Sequence, residues 1–243
     1  MRTAYRDTLD NFAHDLIIMC DTVGDMMTLA SKGLLNTDLQ ADEDTLTTND
    51  ELEEIRARCE ERAVSLLALE NPMAKDLRQV VSSIYIVEDI YRMGQLTKHI
   101  AKTARRRHPA SAIPEQYQGY FTELSRLCME MLARTRDILV QPDADVAILL
   151  ANDDDAVDDI HAHLMGLLTL REWNGTTQEA VDMAMLCRYF ERFADHTVNV
   201  AARIVFLITG LQPEQYIAKK DEDAREAEFQ SRFADLERQF GRR

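Results

Sequence analysis

The 243-residue chain carries 43 acidic against 28 lysine and arginine side chains, for a net charge of −15 at pH 7 and an isoelectric point near 4.8. That balance excludes unaided binding to DNA or RNA, which needs a basic footprint, and electrostatic docking on anionic lipid; it suits solubility, a bound cation or a basic protein partner. Hydrophobic residues at 46% supply a substantial core, and eight glycines with five prolines are too few for the tight turns of an all-β fold, so a few long helices are expected.

Apolar periodicity predicts six long helices. The first spans about residues 3–34, with Leu9, Phe12, Ala13, Leu16, Met19, Cys20, Val23 and Met27 facing inward. The second, about 37–69, is acidic in its first half and apolar on one face in its second, through Ile55, Cys59, Ala63, Leu66 and Leu67. Asn71-Pro72 breaks the chain, and the proline suits the first turn of a third helix at about 73–107. The closing Arg105-Arg106-Arg107 complements the negative end of that helix dipole. Residues 109–118, with Pro109 and Pro114, form a connector. A fourth helix follows at about 120–140, broken by Gln141-Pro142-Asp143, and a fifth at about 144–171, closed by Trp173-Asn174-Gly175 with Gly175 available as a left-handed cap. The sixth, about 177–207, is ended by Gly210 and Pro213. This order predicts an all-α fold of two tandem three-helix up-down bundles, residues 1–108 and 119–213. Residues 214–243 are a charged tail in which Phe229, Phe233, Leu236 and Phe240 recur at helical spacing. A short amphipathic helix packing on the body or a partner, and a mobile tail, both suit that pattern.

The two halves repeat one another at a spacing of one hundred residues. Residues 86–101 align with 186–201, placing Arg92 on Arg192, Thr97 on Thr197, Ala101 on Ala201 and Gly94 on the small Ala194. A repeat of this size means one supersecondary unit used twice. The copies differ where the second carries Glu191 and Asp195 and the first has Tyr91 and Gln95. On a helix Glu191, Asp195 and Asn199 share one face, as do Asp154 and Asp158 on the fifth helix, with Asp155 and Asp159 beside them and His161 three residues on. If the fifth and sixth helices are antiparallel neighbours, two acidic faces meet and need a cation between them. Hard oxygen ligands suit Mg²⁺, Mn²⁺ or Ca²⁺, and iron with a histidine nearby. The other outcome is that these carboxylates are solvated helix faces. In the first half Asn49, Asp50, Glu53 and Glu54 match the fifth-helix carboxylates, but Tyr91, Gln95 and His99 face them. These are poorer ligands for a hard cation, so the metal site is expected in the second half, with a degenerate first-half counterpart.

Arg92 and Arg192 recur beside these positions. They serve either to contact an anion or a partner, or, as expected here, to tie helices together through an ion pair such as Arg192 to a fifth-helix carboxylate. Arg78 is expected to pair across the bundle, and His196 to be a packing or surface residue. Cys20, Cys59, Cys128 and Cys187 each fall in an apolar-periodic segment and form no CxxC, which predicts buried reduced thiols and a cytosolic setting. The opening Met1-Arg2-Thr3-Ala4-Tyr5-Arg6-Asp7 leads straight into a helix and reads as no leader; the longest apolar run, 204–208, is too short to span a bilayer. The sequence lacks a glycine-rich phosphate loop, GxSxG and HExxH. A di-metal oxidase would need paired Glu-x-x-His motifs, and only Asp158-x-x-His161 comes near one. No catalytic residue is therefore assigned.

The stretch Leu67-Ala68-Leu69-Glu70-Asn71-Pro72-Met73-Ala74-Lys75-Asp76-Leu77-Arg78-Gln79-Val80-Val81-Ser82-Ser83-Ile84 resembles the signature of the PhoU family. So do Tyr189-Phe190-Glu191-Arg192-Phe193-Ala194-Asp195-His196 and the preceding Asp154-Asp155-Ala156-Val157-Asp158. Arg92-Met93-Gly94, Ala104-Arg105-Arg106-Arg107-His108-Pro109 and Arg171-Glu172-Trp173 are most similar to its actinobacterial, PhoY-type branch. The resemblance covers about residues 1–213 and implies two three-helix bundles side by side in a cytoplasmic, non-catalytic protein. It implies an adaptor and negative regulator of the phosphate-starvation response, coupling the phosphate ABC transporter to a two-component sensor kinase and restraining phosphate uptake. The implied partners are the transporter's ATPase subunit and the sensor histidine kinase, with membrane association only through them; a homodimer is expected. The family's Glu/Asp-x-x-x-Asp metal motif, for iron, zinc, magnesium or manganese, matches Glu191 and Asp195, with Asp154 and Asp158 on the facing helix. It fails in the first repeat at Tyr91 and Gln95. The alternative function is a metal-dependent carboxylate-bundle enzyme built on the same cluster.

Overall fold

The computed structural model describes residues 2–69, 75–150, 155–170 and 172–240. The chain runs through α1 (Arg2–Asn36), α2 (Leu39–Leu69) and α3 (Lys75–Arg107), then a single 3-10 turn at Glu115–Tyr117. It continues through α4 (Gln118–Val140), α5 (Ala144–Leu150), α6 (Asp155–Thr169), α7 (Thr177–Thr209) and α8 (Pro213–Phe240). Among the described residues there is no strand.

Each long helix forms where an apolar stripe recurs every three or four residues. In α1 the stripe is Leu9, Phe12, Leu16, Met19, Val23, Met26, Ala30 and Leu34, all buried. In α7 it is Met183, Leu186, Phe190, Phe193, Val200 and Ile204. The ends follow local chemistry. Thr176 and Glu179 close a reciprocal capping box at the start of α7, and Gly210 ends that helix at φ 77. Gly175, expected as a left-handed cap, does not take positive φ. Helix α6 has already ended at Thr169, and Gly175 instead makes room for the Trp173 ring, whose Cζ2 would lie 2.6 Å from an added Cβ.

The first three helices pack on one another, and α4, α5, α6 and α7 form a second group. The fifth predicted helix appears as α5 and α6, with residues 151–154 between them outside the described residues. The groups join along α3 with α7 and α1 with α4. The α3–α7 seam is antiparallel. Arg78 lies 5.9 Å from the centre of the Phe206 ring, Arg203 lies 4.1 Å from that of Tyr85, and Asp89 meets His196 at 2.9 Å. Farther along, His99 stacks on Tyr189, and Arg106 and Arg107 meet Asp182. Each step forward in α3 is thus a step back in α7. The ladder crosses its own hundred-residue equivalents near Gly94 and Ala194, so an approximate twofold axis relates the repeats there.

Beyond α7 the tail is neither short nor packed along its length. Helix α8 has 28 residues, and Phe229, Phe233, Leu236 and Phe240 are all exposed. Its first turns are tethered by Tyr216 Oη and Lys220 Nζ, which donate to Asp145 at 2.9 and 2.7 Å.

Candidate functional site

The acidic face of α7 carries Glu191 and Asp195, and α6 brings Asp158 and His161 towards it. The Glu191 side chain is only 12% exposed. One of its carboxylate oxygens pairs with Arg188, one turn earlier; the other, Oε2, is buried without a hydrogen-bond partner. Burial raises the affinity of this carboxyl for a proton, and the negative charges of Asp195 and Asp158 add to the effect, opposed by Arg188 and His161. A buried, orphaned oxygen pressed by two further carboxylates is the arrangement a cation relieves, and the oxygen-rich donor set with one histidine fits a divalent ion. Asp154, the fourth predicted ligand, lies outside the described residues. Among the described residues no group of three His, Cys, Asp or Glu side chains is placed to hold a metal by itself.

The matching place in the first half is closed by protein groups. Gln95 Nε2 donates to buried Asn49 at 2.8 Å, Asn49 Nδ2 donates to Glu53 at 2.9 Å, and Lys98 stands 3.7 Å from Glu53. Tyr91 is covered by Arg56, 4.4 Å from its ring centre, and Arg56 is in turn fixed by Glu88 and Glu60. Asp50 and Glu54 point to solvent. Amides that satisfy one another across α2 and α3 do here what a cation would do across α6 and α7.

Several side chains depart from expectation. Neither Arg92 nor Arg192 makes a hydrogen bond or ion pair among the described residues; both are exposed along the α3–α7 seam. The expected ion pair from Arg192 to a fifth-helix carboxylate is not made among the described residues, where Asp155, Asp158 and Asp159 lie on α6; the neighbouring Glu191 pairs with Arg188 of its own helix. Arg78 does reach across the bundle, but to the face of Phe206 and not to an acid. His196, expected to be a packing or surface residue, is fixed by Asp89 of the other repeat.

Three buried acids, Asp15, Asp42 and Asp182, were not singled out by the sequence reasoning, and two of them are held by pairs of arginines. Asp182 is 3% exposed in its side chain and is held by Arg106 Nη2 at 2.6 Å and Arg107 Nε at 2.7 Å. Asp15 is gripped by Arg58 and Arg62 of α2, each at 3.0 Å. Asp15 and Asp182 sit on the inward stripe of their helices, and an acid in an apolar register is the signal that would have found them.

Comparison with known proteins places this architecture. The solved structure of PhoU from Pseudomonas aeruginosa superposes with a TM-score of 0.75 at 21% identity, over 85% of this chain and 100% of that one. The phosphate transport system regulatory protein PhoU from Streptococcus pneumoniae does so at 0.74 and 23%, over 86% and 98%. At those identities they define the class by fold, a paired helical-bundle protein. The model of the PhoU domain matches twice, at residues 16–104 and 121–204. Phosphate-specific transport system accessory protein PhoU homolog 2 of Mycobacterium tuberculosis is 43% identical over 213 residues, which are 88% of this chain and 100% of the relative. PhoU homolog 1 of Mycobacterium leprae is 43% identical over 214 residues, 88% and 96% of the two chains. The chain belongs to the PhoU family, in its actinobacterial branch.

Proposed function

We propose that this chain is an accessory regulator of the phosphate-specific transport system and a negative regulator of the phosphate-starvation response. The observation that carries the reading is 43% identity to an accessory protein of that system along the relative's whole length. In this role the chain is a non-catalytic cytoplasmic adaptor between the ATPase subunit of the phosphate ABC transporter and the sensor histidine kinase. Among the described residues no helix is long and apolar enough to cross a membrane, which suits contact with the membrane through those partners. Coupling requires that the adaptor bind one transporter state better than another; tight binding without that difference transmits nothing. A homodimer is part of the same proposal.

We assign the single cation of this protein to Glu191, Asp195 and Asp158, completed by Asp154. The orphaned Oε2 of Glu191 supports the assignment. Bound there, an ion would neutralise the carboxylates that α6 and α7 bring together, and so hold those helices to each other. The names of the relatives, which are those of accessory proteins, lend the carboxylate-bundle enzyme no support.

Capture from phosphate-replete cells tests both parts, with wild type compared with Glu191→Ala/Asp195→Ala and metal measured in each. Wild type is expected to retain metal and to recover the ATPase subunit or the kinase. Recovery of neither partner, with phosphate-scavenging genes still repressed after deletion of the gene, would overturn the adaptor. Equal metal in both proteins would overturn the cation site.

A further inference from the structure

The approximate twofold gives the α3–α7 seam two equivalent grooves, and they have diverged in charge. One, of about 470 Å³, is lined by Glu88, Asp89, Asn199, Tyr85 and Arg203. The other, of about 360 Å³, is lined by Arg92, Arg188, Arg192, Gln95, His99 and Tyr189, among others. At the hundred-residue spacing Glu88 is replaced by Arg188, Asp89 by Tyr189 and Asn199 by His99. The acids of one groove thus have arginine and tyrosine as their equivalents in the other, in a protein of net charge −15.

Arg188 of the basic groove pairs with Glu191, but the other two arginines there are unlike most in the molecule. Arg56, Arg58, Arg105, Arg126 and Arg136 each find a carboxylate. Arg92 and Arg192, equivalent residues of the two repeats, line one groove and find none among the described residues. Two like charges in one groove repel, and an anion between them turns that repulsion into attraction. Guanidinium groups present planar forks of donors that match phosphoryl oxygens in pairs. His99, stacked on Tyr189 at 5.3 Å between ring centres, supplies a further ring nitrogen. Burial, and then the positive Lys102 and Lys98, lower its proton affinity. The volume falls within the range of about 300–1,000 Å³ usual for small-molecule sites.

We propose that this groove binds a small anion with two linked phosphoryl groups, one received by Arg92 and the other by Arg192. The same chemistry occurs in inorganic pyrophosphate and in the diphosphate of a nucleotide. The site stands on its geometry and holds whether or not the adaptor reading does.

Isothermal titration of the full chain in metal-free, low-salt buffer tests it, with inorganic pyrophosphate, ADP and sulfate as probes. One saturable site per chain is expected for pyrophosphate or ADP, about tenfold or more tighter than for sulfate. The tighter of the two names the source. Arg92→Gln/Arg192→Gln is expected to weaken it by about tenfold or more, the scale of a lost charge-assisted hydrogen bond. Arg203→Gln, in the opposite groove, is expected to bind as wild type does. Both arginines of the double variant are exposed, and an unchanged thermal melt by circular dichroism verifies its fold. The proposal is overturned by no saturable heat with either phosphoryl probe, or by sulfate binding as tightly. It is equally overturned by an undiminished double variant, by an equal loss in Arg203→Gln, or by heat that requires an added divalent cation.

Discussion

Asp42 shows how one buried acid ties stability to pH. It lies 2% exposed near the start of α2, against Gly33 of α1, and its Oδ1 has no hydrogen-bond partner. Burial, with the nearby charges of Asp38 and Glu43, pushes its carboxyl up to about 7 from an ordinary 3.8, while Arg105 opposes the shift. The folded state therefore holds a proton that the unfolded chain has already released. Stability from this group is complete below about pH 4 and is lost as pH rises towards 7. Asp42→Asn keeps the shape and removes the charge. It is expected to stabilise the protein by about 1–3 kcal/mol at pH 8 and to leave it nearly unchanged at pH 4, as read by denaturant titration at the two pH values. An equal effect at both would mean that Asp42 ionises freely in the fold. The cysteines behave as their sequence registers predict: all four are buried, and burial pushes Cys20, Cys59 and Cys187 up to about 12. They are poor nucleophiles at neutral pH.

At the scale of helices, close approach and buried charge carry the specificity. An added Cβ on Gly94 would collide with fully buried Leu52, so α3 and α2 meet there through the missing side chain. Gly94→Ala gains about 1 kcal/mol of helix propensity but overpacks the core by about 1–3 kcal/mol, so a net loss of about 1–2 kcal/mol is expected in chemical denaturation. A gain in stability would show that Leu52 repacks freely. Asp182 joins α7 to the end of α3, and Asp182→Ala leaves Arg106 and Arg107 without their acid. Since Arg106 is largely exposed, the expected loss is about 2–3 kcal/mol, below the full cost of breaking a buried pair, and visible as a lower melting temperature. The helices themselves were legible because Leu, Met, Phe and Ile recur at helical spacing and Pro and Gly punctuate them. The Glu191 and Asp195 face was legible because the repeat exposes where its copies differ. Which arginine takes which acid was not. Arg188 reaches Glu191 one turn along its own helix, whereas Arg192, a turn further on, finds no acid among the described residues. His196 with Asp89 was hidden because they are far apart in sequence and meet only when the two halves dock.

For the whole molecule, α8 stands apart from the bundles. It extends about 42 Å at helical rise, touches the body near Asp145, and leaves its phenylalanines in water. A chain ending at Leu211 is expected to melt within about 2 °C of the full protein, because little apolar surface is uncovered by the cut. A much larger drop in scanning calorimetry would show that α8 is an integral part of the fold. The seam between the halves has a different kind of consequence. A duplicated unit folded about a twofold ought to be bivalent, offering the same face on both sides and taking two identical guests. Here the faces bear opposite charge, so a guest accepted by one is repelled by the other. Towards such an anionic guest the molecule is monovalent and polar across its own axis, and the guest is told which way round it sits.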